Sequence, residues 1–132
     1  MLATRIALLA AALAGGCTPS SPELRAAFAS ELADLVVSGS CSRVEDTVTL
    51  AVAVTNRGRG PAWPSATRVQ FDDSAAGVVR RTRYIPAGAV STFEVEMPAA
   101  CARGACRWRI TADSANEVSE TDEANNTFSG RC

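Results

Sequence analysis

The clearest pattern in the chain is an alternation with a period of two. Val48, Leu50, Val52 and Val54 are apolar, with Thr49, Ala51, Ala53 and Thr55 between them. Successive side chains of a strand point to opposite faces, so this stretch predicts a half-buried β-strand. Cys106, Trp108, Ile110 and Ala112 alternate in the same way with Arg107, Arg109 and Thr111. Phe93, Val95 and Met97 face inward against Thr92, Glu94 and Glu96, and Val69 and Phe71 face inward from a strand at 67–71. A first strand is predicted over 34–41, with Leu35, Val37, Gly39 and Cys41 on one face, and another over 78–85. Phe128 resumes an apolar face before the chain ends at Cys132. Between these runs lie turn signals: Asn56 to Pro61 with two glycines, 72–77, 86–89, and an acidic, asparagine-rich stretch at 113–126. Short strands at this spacing, with no long helix among them, argue an all-β antiparallel sandwich.

The first quarter of the chain follows another pattern. Arg5 precedes an apolar run at 6–14 that is too short for a permanent membrane span and reads as a targeting segment. Leu13-Ala14-Gly15-Gly16-Cys17 resembles a bacterial lipobox. That resemblance implies a lipoprotein signal peptide at 1–16 and a lipid on Cys17; ordinary cleavage after Ala14 is the alternative. Acyl chains contribute about 0.8 kcal/mol per buried CH₂, so several make a lasting anchor. Thr18 follows the cysteine, rather than Asp; for the lipoproteins this segment resembles, that implies sorting to the outer membrane in a Gram-negative host. Residues 17–33 then form the lipidated terminus and a tether. Within it Leu24, Phe28 and Leu32 repeat at a spacing of four, which suits either a short docking helix or a loose spacer.

The ending D-x-x-N-x-V-x-E-x-D-E-x-N-N at 113–126 resembles the last strands of the CARDB module, a bacterial extracellular domain named for a role in cell adhesion. Ala33-Asp34-Leu35-Val36-Val37, Val54-Thr55-Asn56-Arg57-Gly58-Arg59-Gly60-Pro61-Ala62 and Ile85-Pro86-Ala87-Gly88 resemble the same family. The resemblance covers residues 34–132. It implies an immunoglobulin-like sandwich of about seven strands with no catalytic centre. The cysteines, and the turn between Cys101 and Cys106, depart from the usual pattern.

Composition narrows the chemistry. The chain has 132 residues and a net charge of −1, enough for one domain with a core. Every basic residue is arginine; there is no histidine and no lysine. That removes Ser-His-Asp and Cys-His catalysis, Schiff-base lysines and histidine-ligated metals. With no basic stripe carrying interleaved aromatics, a nucleic-acid partner is not expected. Neither a cofactor nor an enzymatic role is expected.

Five cysteines leave an odd thiol in an exported protein. A lipid on Cys17 would leave four, which can pair in three ways. The expected pairs are Cys101–Cys106, flanking a short hairpin loop, and Cys41–Cys132, joining the first and last strands as neighbours in an immunoglobulin-like sandwich. A four-cysteine zinc site is the rival, but paired C-x₂-C knuckles are missing.

Candidate binding chemistry is sparse. Asp113, Asn116, Glu117, Glu120 and Asp122 could supply calcium with oxygen ligands, although the EF-hand spacing is absent. The competing reading has Asp113, Asn116, Asn125 and Asn126 capping backbone groups while the glutamates stay solvated. Two carboxylates for glycoside hydrolysis would need a cleft, which the end of a small sandwich does not suggest. Trp63, beside Pro64, is either a binding anchor or a cap folded over the end of the core. Arg80, Arg81 and Arg83 offer either a contact for acidic groups or charges that protect a strand edge. Two function classes follow. One is a lipid-anchored envelope module that binds a protein or glycan through its loops or a strand edge. The other is a small envelope inhibitor or accessory subunit of an enzyme.

Overall fold

The computed structural model describes residues 31–72, 74–102 and 106–132. The expected targeting segment, Cys17 and most of the expected tether lie outside the described residues. Among the described residues seven strands form in chain order: β1 (Leu35–Val44), β2 (Thr47–Asn56), β3 (Ala66–Phe71), β4 (Ser74–Arg81), β5 (Val90–Glu96), β6 (Arg107–Thr111) and β7 (Thr127–Arg131). One short helix among the described residues, α1 (Ala99–Ala102), precedes β6. The strands make two antiparallel sheets, ordered β1-β2-β5 and β4-β3-β6-β7. This is the expected seven-stranded all-β sandwich.

The alternation read from the sequence becomes the core. Val48, Leu50, Val52 and Val54 on β2 are buried, with Leu35 and Val37 beside them on β1 and Val95 on β5. From the other sheet come Val69, Phe71, Trp108 and Ile110. Trp108 is too large for an interface of ordinary side chains, and two glycines make room for it. A Cβ on Gly39 would sit 2.9 Å from the Trp108 ring, and one on Gly130 would overlap it. Close packing leaves no spare volume for either atom.

Three local expectations are corrected. The stretch 74–77 belongs to β4 and is not a turn, so β4 starts four residues early and stops at Arg81. Beyond it the chain stays paired irregularly: Thr82 N donates to Ser65 O, and Ala62 and Ile85 form an isolated bridge. The Cys101–Cys106 bridge forms, with Cα atoms 5.0 Å apart, but it does not flank a hairpin. Cys101 sits in α1, on the crossover from β5 in one sheet to β6 in the other. Cys41 and Cys132 are also joined, with Cα atoms 5.7 Å apart. Here β1 and β7 are not hydrogen-bonded neighbours; each is the edge of a different sheet, so this bridge staples sheet to sheet. Both bridges lie at one end of the sandwich, where Cys132 N donates to Cys106 O.

Candidate functional site

The acidic stretch gathers at the other end, after β6. Asp113 and Asn116 have φ of 48° and 55°, a left-handed backbone that Asp and Asn tolerate better than most residues. The Asp113 carboxylate accepts the N–H groups of Glu117 at 2.6 Å and Val118 at 3.0 Å. That folds the loop so that Val118 is buried. The chain then runs beside the approach to β1: Glu120 and Ala33 form a parallel bridge, and Thr121 N donates to Ala33 O at 2.9 Å. Glu120 Oε1 accepts Leu35 N at 2.7 Å, and its Oε2 accepts from Asn126 Nδ2. Asn125 Nδ2 donates to Asp34 Oδ1 at 2.8 Å. The last loop is thereby clasped to the start of the first strand.

Glu120 is therefore buried, at 7% exposure, where solvation was expected. Burial pushes its carboxyl up to about 7. The hydrogen bonds from Asn126 and Leu35 oppose that rise, and the neighbouring Glu123 adds to it. Asn125 and Asn126 spend their side-chain N–H groups on the carboxylates of Asp34 and Glu120, not on backbone caps. Asn126 Oδ1 is buried without a partner.

Of the four carboxylates among the residues expected to hold calcium, the structure brings Asp113 and Glu120 together. Glu123 joins them, and one oxygen from each of the three lies within 4.8 Å of the others. Glu117 turns away to a bidentate contact with Arg81, at 3.3 and 3.4 Å. Asp122 accepts Ala124 N at 2.8 Å. Asn116 lies exposed in the turn, its backbone N–H donating to Asp113 O at 2.9 Å. Three converging carboxylates can share a proton or hold a cation; which they do depends on whether Glu120 is ionised.

Trp63 is 67% exposed and does not fold over the core. Its ring meets Tyr84 edge-on, with centroids 5.1 Å apart. Arg80 and Arg81 lie on β4, which is an edge strand, as edge protection requires. Arg83 lies beyond the strand, lining a shallow groove of about 420 Å³ with Tyr84, Pro86 and Val90.

Asn56 has a role that its place in a glycine-rich turn conceals. It is fully buried, and its side chain makes all four hydrogen bonds open to it. Oδ1 accepts Asp34 N and Gly58 N, both at 3.1 Å. Nδ2 donates to Gly60 O at 2.8 Å and Ile85 O at 3.0 Å. The only signal in the sequence is that Asn56 ends a strand and opens a loop, which many solvated asparagines also do.

No curated protein matches the chain. Solved structures that share its fold include two of the CARDB domain of the PF1109 protein from Pyrococcus furiosus. The crystal structure, described as a complex with di-metal ions, is 19% identical with a TM-score of 0.60; the match covers 76% of this chain and 87% of that one. The solution NMR structure is 22% identical with a TM-score of 0.61, over 76% and 94% of the two chains. The CARDB family profile matches residues 32–130. That span takes in both sheets, the Asn56 bracket and the whole acidic clasp, and the chain belongs to the CARDB family.

Proposed function

We propose that this chain is a non-enzymatic module of the bacterial cell envelope, anchored by lipid on Cys17 in the outer membrane, that binds a protein or glycan. The observation that carries the reading is the exposed Trp63–Tyr84 pair. The Ala62–Ile85 bridge, with N–H···O distances of 2.8 and 2.9 Å in the two directions, fixes the backbone behind both rings. Rings held on a rigid backbone lose little entropy on binding, and Trp and Tyr are enriched among residues that dominate contact surfaces. The adhesion-related family name supports the same reading.

A pull-down from envelope extract tests it. Replacing Trp63 and Tyr84 by Ala is expected to lose the partner while leaving the melting temperature nearly unchanged; full retention of the partner overturns the contact. Recovery of a single enzyme, with its activity reduced on binding, would favour the inhibitor or accessory-subunit alternative. For the anchor, Cys17→Ser should release the protein from the membrane fraction, and unchanged retention sinks the lipid.

A second reading concerns the acidic clasp. Three carboxylates meet there, and the buried Asn126 Oδ1 has no partner, so a divalent cation such as calcium would find oxygen donors on Asp113, Glu120 and Glu123. The di-metal complex of the Pyrococcus domain makes the test worthwhile. Calcium at millimolar levels should raise the melting temperature and a chelator should lower it again. Identical curves dismiss the site.

A further inference from the structure

The outer face of the four-stranded sheet is basic. Arg68 on β3, Arg107 and Arg109 on β6, and Arg131 on β7 all point to solvent from it. The register sets them in a lattice. Arg107 stands directly opposite Arg131, and Arg109 lies between Gln70 and Ser129. Neighbours across strands are about 5 Å apart and those two residues along a strand about 7 Å. A groove of about 530 Å³ runs over this face between Gln70, Arg107, Arg109 and Ser129.

Three observations separate this face from ordinary surface charge. Edge protection cannot account for it, because β3 and β6 are the central strands of their sheet. Like charges placed directly across a ladder are destabilising, and the Arg107–Arg131 pair is such a case. Among the described residues only Asp72 approaches, 3.9 Å from Arg107 and well exposed, while Arg68, Arg109 and Arg131 form no ion pair. The opposite outer face carries Glu94 and Glu96 among Ser38, Ser40, Ala51 and Ala53. The two outer faces of the sandwich thus carry charges of opposite sign.

We infer that this arginine face binds an anionic polysaccharide, with Arg107, Arg109 and Arg131 pairing its carboxylate or sulfate groups and Gln70 and Ser129 meeting its hydroxyls. The inference deepens the binding-module reading and rests on it. Guanidinium matches planar oxyanions bidentately, and a repeated anion suits a repeated donor lattice. The neighbours of the arginines choose among polyanions. Gln70, Thr111, Thr127 and Ser129 are hydrogen-bonding groups, and the two aromatic residues along the groove, Phe71 and Trp108, are buried in the core and offer no exposed ring for a base to stack on. The one apolar side chain exposed beside them among the described residues is Val79, opposite Arg68, and a single valine is too small to hold a lipid surface.

The test uses the full-length chain in neutral detergent, with heparin and polygalacturonate as probes and dextran as the uncharged control. Binding to the two polyanions at low salt is expected, weakening steeply as salt rises, with none to dextran. Arg109→Gln with Arg131→Gln should lower affinity at least about tenfold. Arg57→Gln with Arg59→Gln, which removes the same charge from a loop elsewhere, should change it less than about twofold. Equal losses in the two variants overturn the inference, as does binding to phosphatidylglycerol vesicles without binding to either soluble polyanion. Absence of all polyanion binding also overturns it. If the Trp63 and Tyr84 variant still loses its envelope partner in that case, the broader binding reading survives alone.

Discussion

Asn56 and Glu120 are the two polar residues on which the loops close. Every hydrogen-bonding position of the Asn56 side chain is used, on partners at Asp34, in the loop at 58–60 and at Ile85. Asn56→Ala strands two N–H groups and two carbonyls in a buried place, so a loss of about 3 to 5 kcal/mol is expected. Urea unfolding with an unchanged slope would record it, and a loss below about 1 kcal/mol would show that the bracket relaxes. Glu120 gives a prediction in pH. Its carboxyl rises from 4.5 to about 7 on folding, so between those values the folded state holds a proton that the unfolded state has released. Stability should therefore fall as pH rises from about 4.5 to 7, by on the order of 2 kcal/mol from this group. Glu120→Gln should flatten the slope relative to wild type. The change is tolerable because Asn126 can turn its unpartnered Oδ1 toward the new amide. Parallel stability–pH curves for the two proteins would refute the account.

Among the elements, those that read well from the sequence are those whose two faces differ. In β2 the buried valines and leucine alternate with threonine and alanine, and its inner face was legible residue by residue. β4 reads SAAGVVRR, which has no alternation, and it follows two aspartates, so turn chemistry prevailed where a strand forms. α1 has four residues and no periodicity to find. The disulfide partners were legible because few pairings were available, but their setting was not, since the sequence does not say which sheet a strand joins. The clasp and the bracket were hidden for a related reason. Glu120 meets Leu35 across 85 positions, and Asn56 meets Ile85 across 29; carboxylates and asparagines in loops otherwise resemble solvated turn residues. The setting of the bridges has a measurable consequence. Cys41–Cys132 closes a span of 91 positions and Cys101–Cys106 one of 5. In the chain-entropy model these contribute about 4 to 5 and about 2 kcal/mol. Replacing Cys41 and Cys132 by Ser should lower the melting temperature more than replacing Cys101 and Cys106. The reverse order would mean that the crossover, and not the sheet-to-sheet staple, is the weaker link.

At the scale of the whole molecule, the first and last strands are held at both ends by different chemistry. β1 leaves the acidic clasp at Leu35, whose N–H is bound by Glu120, and reaches the covalent end at Cys41. β7 leaves the same clasp just after Asn126 and reaches the same covalent end at Cys132. Both are edge strands, hydrogen-bonded on one side only, so they are the elements most prone to open locally. β2 is central to its sheet, its inner side chains buried in the core, and should open only with global unfolding. Reduction of the bridges removes one hold and leaves the other. Hydrogen exchange at neutral pH should then quicken in β7 and in the Cys41 half of β1, while the Leu35 half and β2 stay protected. Adding Glu120→Ala releases the second hold, and exchange should spread along the whole of β1 by more than the two separate effects combined, because either clasp alone keeps the strand docked. If reduction alone deprotects β2 as much as β7, the two ends do not act independently and the sandwich opens as a single unit.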